Sequence, residues 1–97
     1  MKPDERDELI RAYFEADMAL LRAKGHDYSG TQDCLRNLAR HGLKGIVVRM
    51  GDKYERLNTL VWDALAPEVK DEVVADTLRD LRNYSFLAQI FLEGKNK

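Results

Sequence analysis

The sequence predicts a small all-α protein, an antiparallel bundle of three long helices and one short helix. Apolar residues recur at helical spacing in three long stretches, and no alternating stretch is long enough for a strand. The connections are short, which favours antiparallel neighbours. The 97 residues allow one hydrophobic core, so we expect a single domain over residues 1–97. Because so short a chain is marginally stable alone, we expect association of subunits to complete the bundle.

Composition argues against several classes of partner. The formal net charge is -1 although 34% of the residues are charged, so we expect neither a nucleic-acid nor an anionic membrane partner. No apolar run approaches membrane-spanning length, and the N-terminal residues lack the hydrophobic region of a signal peptide. Cys34 is the only cysteine, so an internal disulfide is excluded. We therefore expect a cytoplasmic protein.

The first helix is predicted from Pro3 to about Lys24. Proline suits the first helical position, and acidic residues follow it in the first turn. Asp17 lies inside the apolar arc of this helix. It is expected either to be an edge residue that reaches solvent or a basic neighbour, or to be a further member of an acidic site. Gly25 is well placed to end the helix, and residues 24–30 contain two glycines and several turn-forming residues. We therefore expect a loop at residues 24–30.

A short helix is expected over residues 33–41, ended by Gly42, and a third helix from Leu43 to about Ala64. Six apolar residues share one face of the third helix: Leu43, Ile46, Met50, Tyr54, Leu57 and Val61. Four charged residues share the adjoining face: Arg49, Asp52, Lys53 and Arg56. The third helix therefore carries a mainly basic edge beside its apolar face.

The fourth helix is predicted from Pro67 to about Glu93, with Gly94 as its stop. At about 100° per residue, three polar side chains fall within roughly 40° of one another: Glu72, Asp76 and Asn83. Asp80 lies about 40° beyond Asp76, at the edge of the apolar stripe. Buried carboxylates are costly unless they are paired or bound to a cation. A cationic group should therefore face this helix, and the basic edge of the third helix could supply it.

Two interpretations of these facing edges remain open. In the structural one, the charged residues form salt bridges between helices beside the core. In the functional one, the carboxylates of Glu72, Asp76 and Asp80 hold one or two Mg²⁺ ions, and the basic residues bind a phosphate chain. Metal ions that bridge phosphate oxygens, together with cations, are the recurring needs of phosphate-ester chemistry.

Three segments carry a resemblance to a known family: residues 24–30, 42–57 and 71–84. They contain Asp-Tyr-Ser-Gly, a glycine-bracketed Val-Arg-x-x-Asp-Lys-x-x-Arg-Leu, and Glu-x-x-x-Asp-x-x-x-Asp-x-x-Asn-Tyr. Together they resemble the nucleotide modification associated domain, type one, a small family frequent in bacteriophages. That family is similar in turn to the all-α nucleotide pyrophosphohydrolases, the MazG-like and dimeric dUTPase group. The resemblance extends from about Leu20 to Phe91.

The resemblance implies a homodimeric or homotetrameric helical bundle in the host cytoplasm that acts in nucleotide metabolism or DNA modification. It implies Mg²⁺-dependent cleavage of a nucleoside triphosphate, preferably a dNTP, to the monophosphate and pyrophosphate. The expected metal ligands and catalytic acids are Glu72, Asp76 and Asp80, with Asp52 as a fourth ligand. The expected substrate contacts are Arg49, Lys53 and Arg56 to phosphates, Asn83 to substrate or a water at the metal, and Asp27 and Tyr28 to base or sugar.

The chain departs from the wider group at two places. That group carries Glu-x-x-Glu on one helix and Glu-x-x-Asp on the next, whereas this chain has Arg49-x-x-Asp52 and Thr77-x-x-Asp80. The missing glutamates favour an alternative from another class, a non-catalytic helical dimer that senses nucleotides or binds a partner through the same charged groove. An oligomeric structural protein is the third possibility.

Overall fold

The computed structural model describes the backbone of residues 1–29, 36–62 and 67–95, and the side chains of residues 1–23, 38–62 and 70–95. All regular structure in these ranges is helical and no strand occurs there, which confirms the predicted all-α class. The helices are α1 (Pro3–Ser29), α2 (Arg36–Ala39), α3 (Gly42–Trp62) and α4 (Pro67–Leu92). The chain divides into two compact units, Met1–Asn37 and Leu38–Lys97. None of the described helices is long and apolar enough to cross a membrane.

Helix α1 begins at Pro3, as predicted. The carbonyl of Lys2 accepts the Arg6 N–H at 3.2 Å, so Lys2 is the residue that caps the helix. The Glu5 carboxylate accepts the Lys2 N–H at 3.4 Å, which is one half of a capping box. Acidic residues in the first turn add a favourable interaction with the helix dipole. Local sequence therefore accounts for this helix start.

The predicted end of α1 at Lys24 is wrong, because the helix continues through Ser29. Gly25 lies inside the helix, where glycine costs only about 1 kcal/mol relative to alanine. This cost is too small to end α1 at Gly25. As a consequence, Asp27 and Tyr28 lie on helical backbone and not in the predicted loop. Their side chains, and the rest of the predicted loop beyond Ser29, lie outside the described residues.

The described part of the predicted short helix is the single turn α2. Its predicted start, residues 33–35, lies outside the described residues. Arg40 and His41 form a turn instead of continuing the helix, so the segment ends earlier than predicted. Gly42 follows with a φ of 60° and begins α3.

Helices α3 and α4 pack against each other and run antiparallel. Near the end of α3, the carbonyl of Val61 accepts a hydrogen bond from Lys70 Nζ at 2.9 Å, close to the start of α4. Further back along α3, Lys53 contacts Asp80, which lies further forward along α4. Two contacts in this order require helices of opposite direction. Ile46 and Thr77 are buried and mark the faces that the two helices turn towards each other.

Helix α4 begins at Pro67 and ends at Leu92, one residue before the predicted end. The Lys95 N–H donates to the Ile90 carbonyl at 3.1 Å, and the Gly94 N–H donates to the Phe91 carbonyl at 3.2 Å. This pair of bonds is a Schellman motif, which requires the positive φ of 69° that Gly94 adopts. The predicted role of Gly94 as the stop is confirmed.

The Glu93 carboxylate lies at this same helix end. It accepts a hydrogen bond from the Gln89 side chain at 2.8 Å and pairs with Lys95 Nζ at 3.1 Å. Both contacts lower the pKa of Glu93, and the hydrogen bond from Gln89 has the larger effect. The charged form of Glu93 is therefore the one that this helix end stabilises.

The hairpin of α3 and α4 has two different faces. At about 100° per residue, the charged residues of α3 lie on one side of the line that faces α4, and several apolar residues lie on the other. The contact between Lys53 and Asp80 brings the charged sides of both helices to the same face. We define the charged face by Arg49, Lys53, Arg56, Asp76 and Asp80. We define the apolar face by Val47, Tyr54, Val61 and Leu78.

Candidate functional site

An ion pair between Lys53 and Asp80 joins the two helices on the charged face. Lys53 Nζ lies 3.1 Å from Asp80 Oδ2, and the two side chains are 30% and 22% exposed. Lys53 follows the buried Ile46 by seven residues, and Asp80 follows the buried Thr77 by three. Both charged side chains therefore extend from the rows that form the contact between the helices. The arrangement holds an ammonium and a carboxylate at a partly buried seam.

The other predicted acids lie further from this seam. Glu72, Asp52 and Asp76 are exposed, and Asp76 pairs with Arg79 of its own helix at 3.2 Å. Among the described residues, no three or more His, Cys, Asp or Glu side chains gather in a way that could hold a metal ion. The side chain of Asp27, a further candidate, lies outside the described residues.

The predicted phosphate-binding residues also differ in how far they are exposed to solvent. Lys53 is half-buried and reaches α4, whereas Arg49 and Arg56 are exposed. They precede and follow Lys53 by four and three residues, so all three form one row along the helix. This row of positive charge spans about 10 Å of α3. The three cations therefore lie on one face of α3, and Lys53 is in contact with Asp80 of α4.

Asn83 is buried, and its Oδ1 has no hydrogen-bond partner in the described part of the structure. It follows Asp80 by three residues, which makes the two side chains neighbours on the helix surface. A buried acceptor without a partner destabilises the folded state by about 1–3 kcal/mol. A donor or a cation bound at this oxygen would therefore be favourable. Asn83 therefore places a buried amide oxygen, without a donor among the described residues, next to Asp80.

Thr77 occupies the position at which the wider group of pyrophosphohydrolases is expected to carry a glutamate. Its side chain is buried, and its hydroxyl donates to the Val73 carbonyl at 2.8 Å. This hydroxyl is used within its own helix, as is common for threonine in helices. At this position the chain therefore has a small, buried packing side chain and no carboxylate.

Arg79 is a residue of this region that the sequence reasoning missed. It is half-buried, it pairs with Asp76, and its Nε is buried without a hydrogen-bond partner among the described residues. The signal that could have found it is the acid three residues earlier on the same helix, a spacing at which opposite charges meet. Arg79 adds a guanidinium to the α4 side of the site.

Comparison with known proteins yields no assignment. No protein-family model, no curated protein and no solved structure matches the chain. The resemblance to the nucleotide modification associated domain therefore stays a prediction from three sequence segments.

Proposed function

We propose that this protein is a Mg²⁺-dependent nucleotide pyrophosphohydrolase of phage-type nucleotide metabolism, which converts a (deoxy)nucleoside triphosphate to the monophosphate and pyrophosphate. The observation that carries the proposal is the contact between Lys53 and Asp80 at the partly buried seam of α3 and α4. Cleavage between phosphates needs carboxylates for a metal and cations for the phosphate oxygens, close together. This seam offers one of each at 3.1 Å.

The donor set on α4 suits Mg²⁺ in chemical type. Mg²⁺ binds hard oxygen ligands and is commonly held by one or two carboxylates, with water and substrate phosphates as the remaining ligands. Asp80 and the unpartnered Asn83 Oδ1 are such oxygens, and Asp76 and Glu72 lie one and two turns before Asp80. Asp52 is the candidate from α3. When bound, the ion would supply a Lewis acid for water activation and for the phosphate charge.

The cations would bind the substrate. Lys53 would exchange its contact with Asp80 for a phosphate oxygen, and Arg49 and Arg56 would extend the contact along the phosphate chain. Because both arginines are exposed on the same face, they are accessible to a ligand that approaches from solvent. Arginine suits this task because its planar guanidinium donates two parallel hydrogen bonds to a phosphate. Asp27 and Tyr28 remain candidates for contacts to base or sugar.

The direct test is the release of pyrophosphate from a panel of canonical and modified dNTPs in the presence of Mg²⁺. We expect activity in the wild type and a loss of at least about 100-fold in kcat/KM for Asp80→Asn, because the variant removes a charged metal ligand. The matched control is Asp71→Asn, which neutralises an exposed acid on another side of α4. If wild type and Asp80→Asn are equally silent with every nucleotide, the enzymatic proposal fails.

A second candidate is a non-catalytic nucleotide sensor that uses the same face. The observation that favours it is that Asp80 and Asp76 already have cationic partners, Lys53 and Arg79. Isothermal titration calorimetry separates the two candidates. A sensor takes up nucleotide without turnover and without a need for Mg²⁺, and Lys53→Met weakens that uptake, whereas an enzyme consumes its ligand when Mg²⁺ is added.

A further inference from the structure

A cluster of large apolar side chains is exposed on the first half of α1. Leu9, Ile10, Tyr13 and Phe14 are 41%, 56%, 54% and 47% exposed. At about 100° per residue, the four positions fall within an arc of roughly 140° and within two turns of the helix. They therefore form one continuous surface, which we call the α1 patch.

Two charged residues between Pro3 and Asp17 fall within the same arc. Arg6 precedes the patch, and its Nε and Nη2 both lie 3.0 Å from Asp7 Oδ1. This carboxylate offsets the positive charge of Arg6 locally. Asp17 follows the patch and is only 3% exposed, so the exposed part of the arc ends there. The patch is thus bounded by a neutralised base on one side and a buried acid on the other.

Acidic residues outnumber basic ones around the patch. The nearest charged residues at its edges are Asp7, about 20° from Phe14, and Glu5, about 40° from Leu9. Beyond Asp7, the exposed outer side of α1 carries three acids and one base: Asp4, Glu8, Glu15 and Arg11. The single base does not reverse the sign of this side. The patch is therefore an apolar surface with a mainly acidic border.

This negative charge is concentrated in one part of the chain. Residues 1–17 contain six acids and three bases, whereas residues 18–97 contain 11 acids and 13 bases. Complementary charge across an interface favours a partner, and like charge opposes it. A second copy that placed its own patch here would bring two acidic borders together. An anionic membrane is disfavoured for the same reason. The charge pattern therefore favours a partner with basic residues.

We propose that the α1 patch is the docking surface for a basic amphipathic helix of another protein. The apolar side chains of that helix pack on the patch, and its lysines or arginines lie beside Asp7 and Glu5. The patch rises only about 8 Å along α1, so the interface is small and the expected Kd is about 10–100 µM. The inference goes beyond the proposed catalytic function and does not depend on it, because the patch precedes all three segments of the family resemblance.

Two synthetic peptides of about 18 residues test the proposal on the full chain. Both carry leucine at helical spacing, and the remaining positions are all lysine in one peptide and all glutamate in the other. Fluorescence anisotropy should give a Kd of about 10–100 µM for the lysine peptide and binding at least about tenfold weaker for the glutamate peptide. Amide chemical-shift changes in NMR spectra should cluster on the α1 patch.

Matched variants separate this surface from the rest of the protein. Ile10→Ser changes the patch, and Val48→Ser changes a comparably exposed side chain of α3 (56% and 65% exposed). Ile10→Ser should weaken binding of the lysine peptide at least about fivefold, and Val48→Ser should leave it unchanged. Asp7→Asn should weaken it more than Glu8→Gln, because the same loss of charge also deprives Arg6 of its acidic partner. Circular dichroism should show equal helix content in all four variants.

Four results would overturn the proposal. The first is equal affinity for the two peptides, and the second is unchanged affinity in Ile10→Ser. The third is a set of amide shifts confined to the charged face of α3 and α4, which would place the basic peptide there. The fourth is loss, in Ile10→Ser, of binding to uncharged phosphatidylcholine vesicles or of self-association, which would identify a lipid surface or a second copy as the occupant.

Discussion

The ion pair of Lys53 and Asp80 should contribute little to the free energy of folding. Ion pairs with partial solvent exposure contribute between zero and about 1 kcal/mol to stability. The pair is partly exposed, and its contribution to folding should be of this order. If its main role is to present charge to a ligand, removal of either partner should cost binding or activity far more than stability.

The stability of Asp80 variants therefore distinguishes the structural from the functional interpretation. We expect Asp80→Asn to lower the free energy of unfolding by at most about 1 kcal/mol in urea denaturation. The double variant Lys53→Met with Asp80→Leu should change this free energy by at most about 1 kcal/mol, because the pair is partly exposed. A loss above about 3 kcal/mol in either variant would show that the pair is a structural requirement of the hairpin.

At the scale of the element, the ends of the helices differ in how well local sequence specifies them. Pro3, Pro67 and Gly94 act through fixed φ, a missing N–H and a positive φ, so the boundaries at these residues agree with prediction. Gly25 acts only through a modest propensity, and α1 continues past it. The sequence signals that reliably indicate a helix boundary are therefore residues that directly change backbone geometry or hydrogen bonding.

Two glycines in α3 should respond in opposite ways to the same substitution. A Cβ on Gly45 would lie 2.5 Å from the His41 Cβ, whereas a Cβ on Gly51 would meet nothing within 4 Å. We expect Gly45→Ala to destabilise by about 1–3 kcal/mol through this clash. Gly51→Ala should stabilise by about 0.5–1 kcal/mol, because alanine is the better helix former.

Urea denaturation of both variants, with circular dichroism as the probe, checks this pair. Each variant is the control of the other, since the chemical change is identical and both positions lie in one helix. A stabilising Gly45→Ala would mean that the His41 side chain moves away at little cost, and that the close approach at the start of α3 is not a constraint.

At the scale of the whole molecule, the hairpin of Leu38–Lys97 has two surfaces of different chemistry. The charged face carries exposed cations and acids, and the apolar face carries exposed valines, a tyrosine and a leucine. The proposed nucleotide binding and the expected association of subunits thus depend on different physical forces. Electrostatic attraction at an exposed surface is screened by salt, whereas apolar burial is not.

Salt should therefore separate nucleotide binding from the association of subunits. Between about 50 mM and about 500 mM NaCl, where the screening length falls severalfold, we expect nucleotide binding to weaken at least about tenfold. The dimer dissociation constant should stay the same or decrease over this range, because apolar association is not screened. Calorimetry with a non-hydrolysable nucleotide and ultracentrifugation measure the two quantities. A dimer that dissociates as salt rises would show that charge, and not the apolar face, holds the copies together.

The sequence by itself determined the all-α class, the starts of α1 and α4 and the stop at Gly94. These features depend on hydrophobic period and on local backbone chemistry, which are properties of neighbouring residues. The sequence also placed the acids and the cations on helix edges, since their positions follow from helical spacing alone.

Only the tertiary structure decided which members of those edges meet. Arg49, Lys53 and Arg56 are equivalent by spacing, but the rotation and axial offset of α3 against α4 bring Lys53 to Asp80 and leave both arginines exposed. The same packing buries Ile46 and leaves Val47 exposed, although the two are adjacent in the chain. Rotation and offset are set by side-chain packing along the whole length of two helices, so no local pattern can specify them.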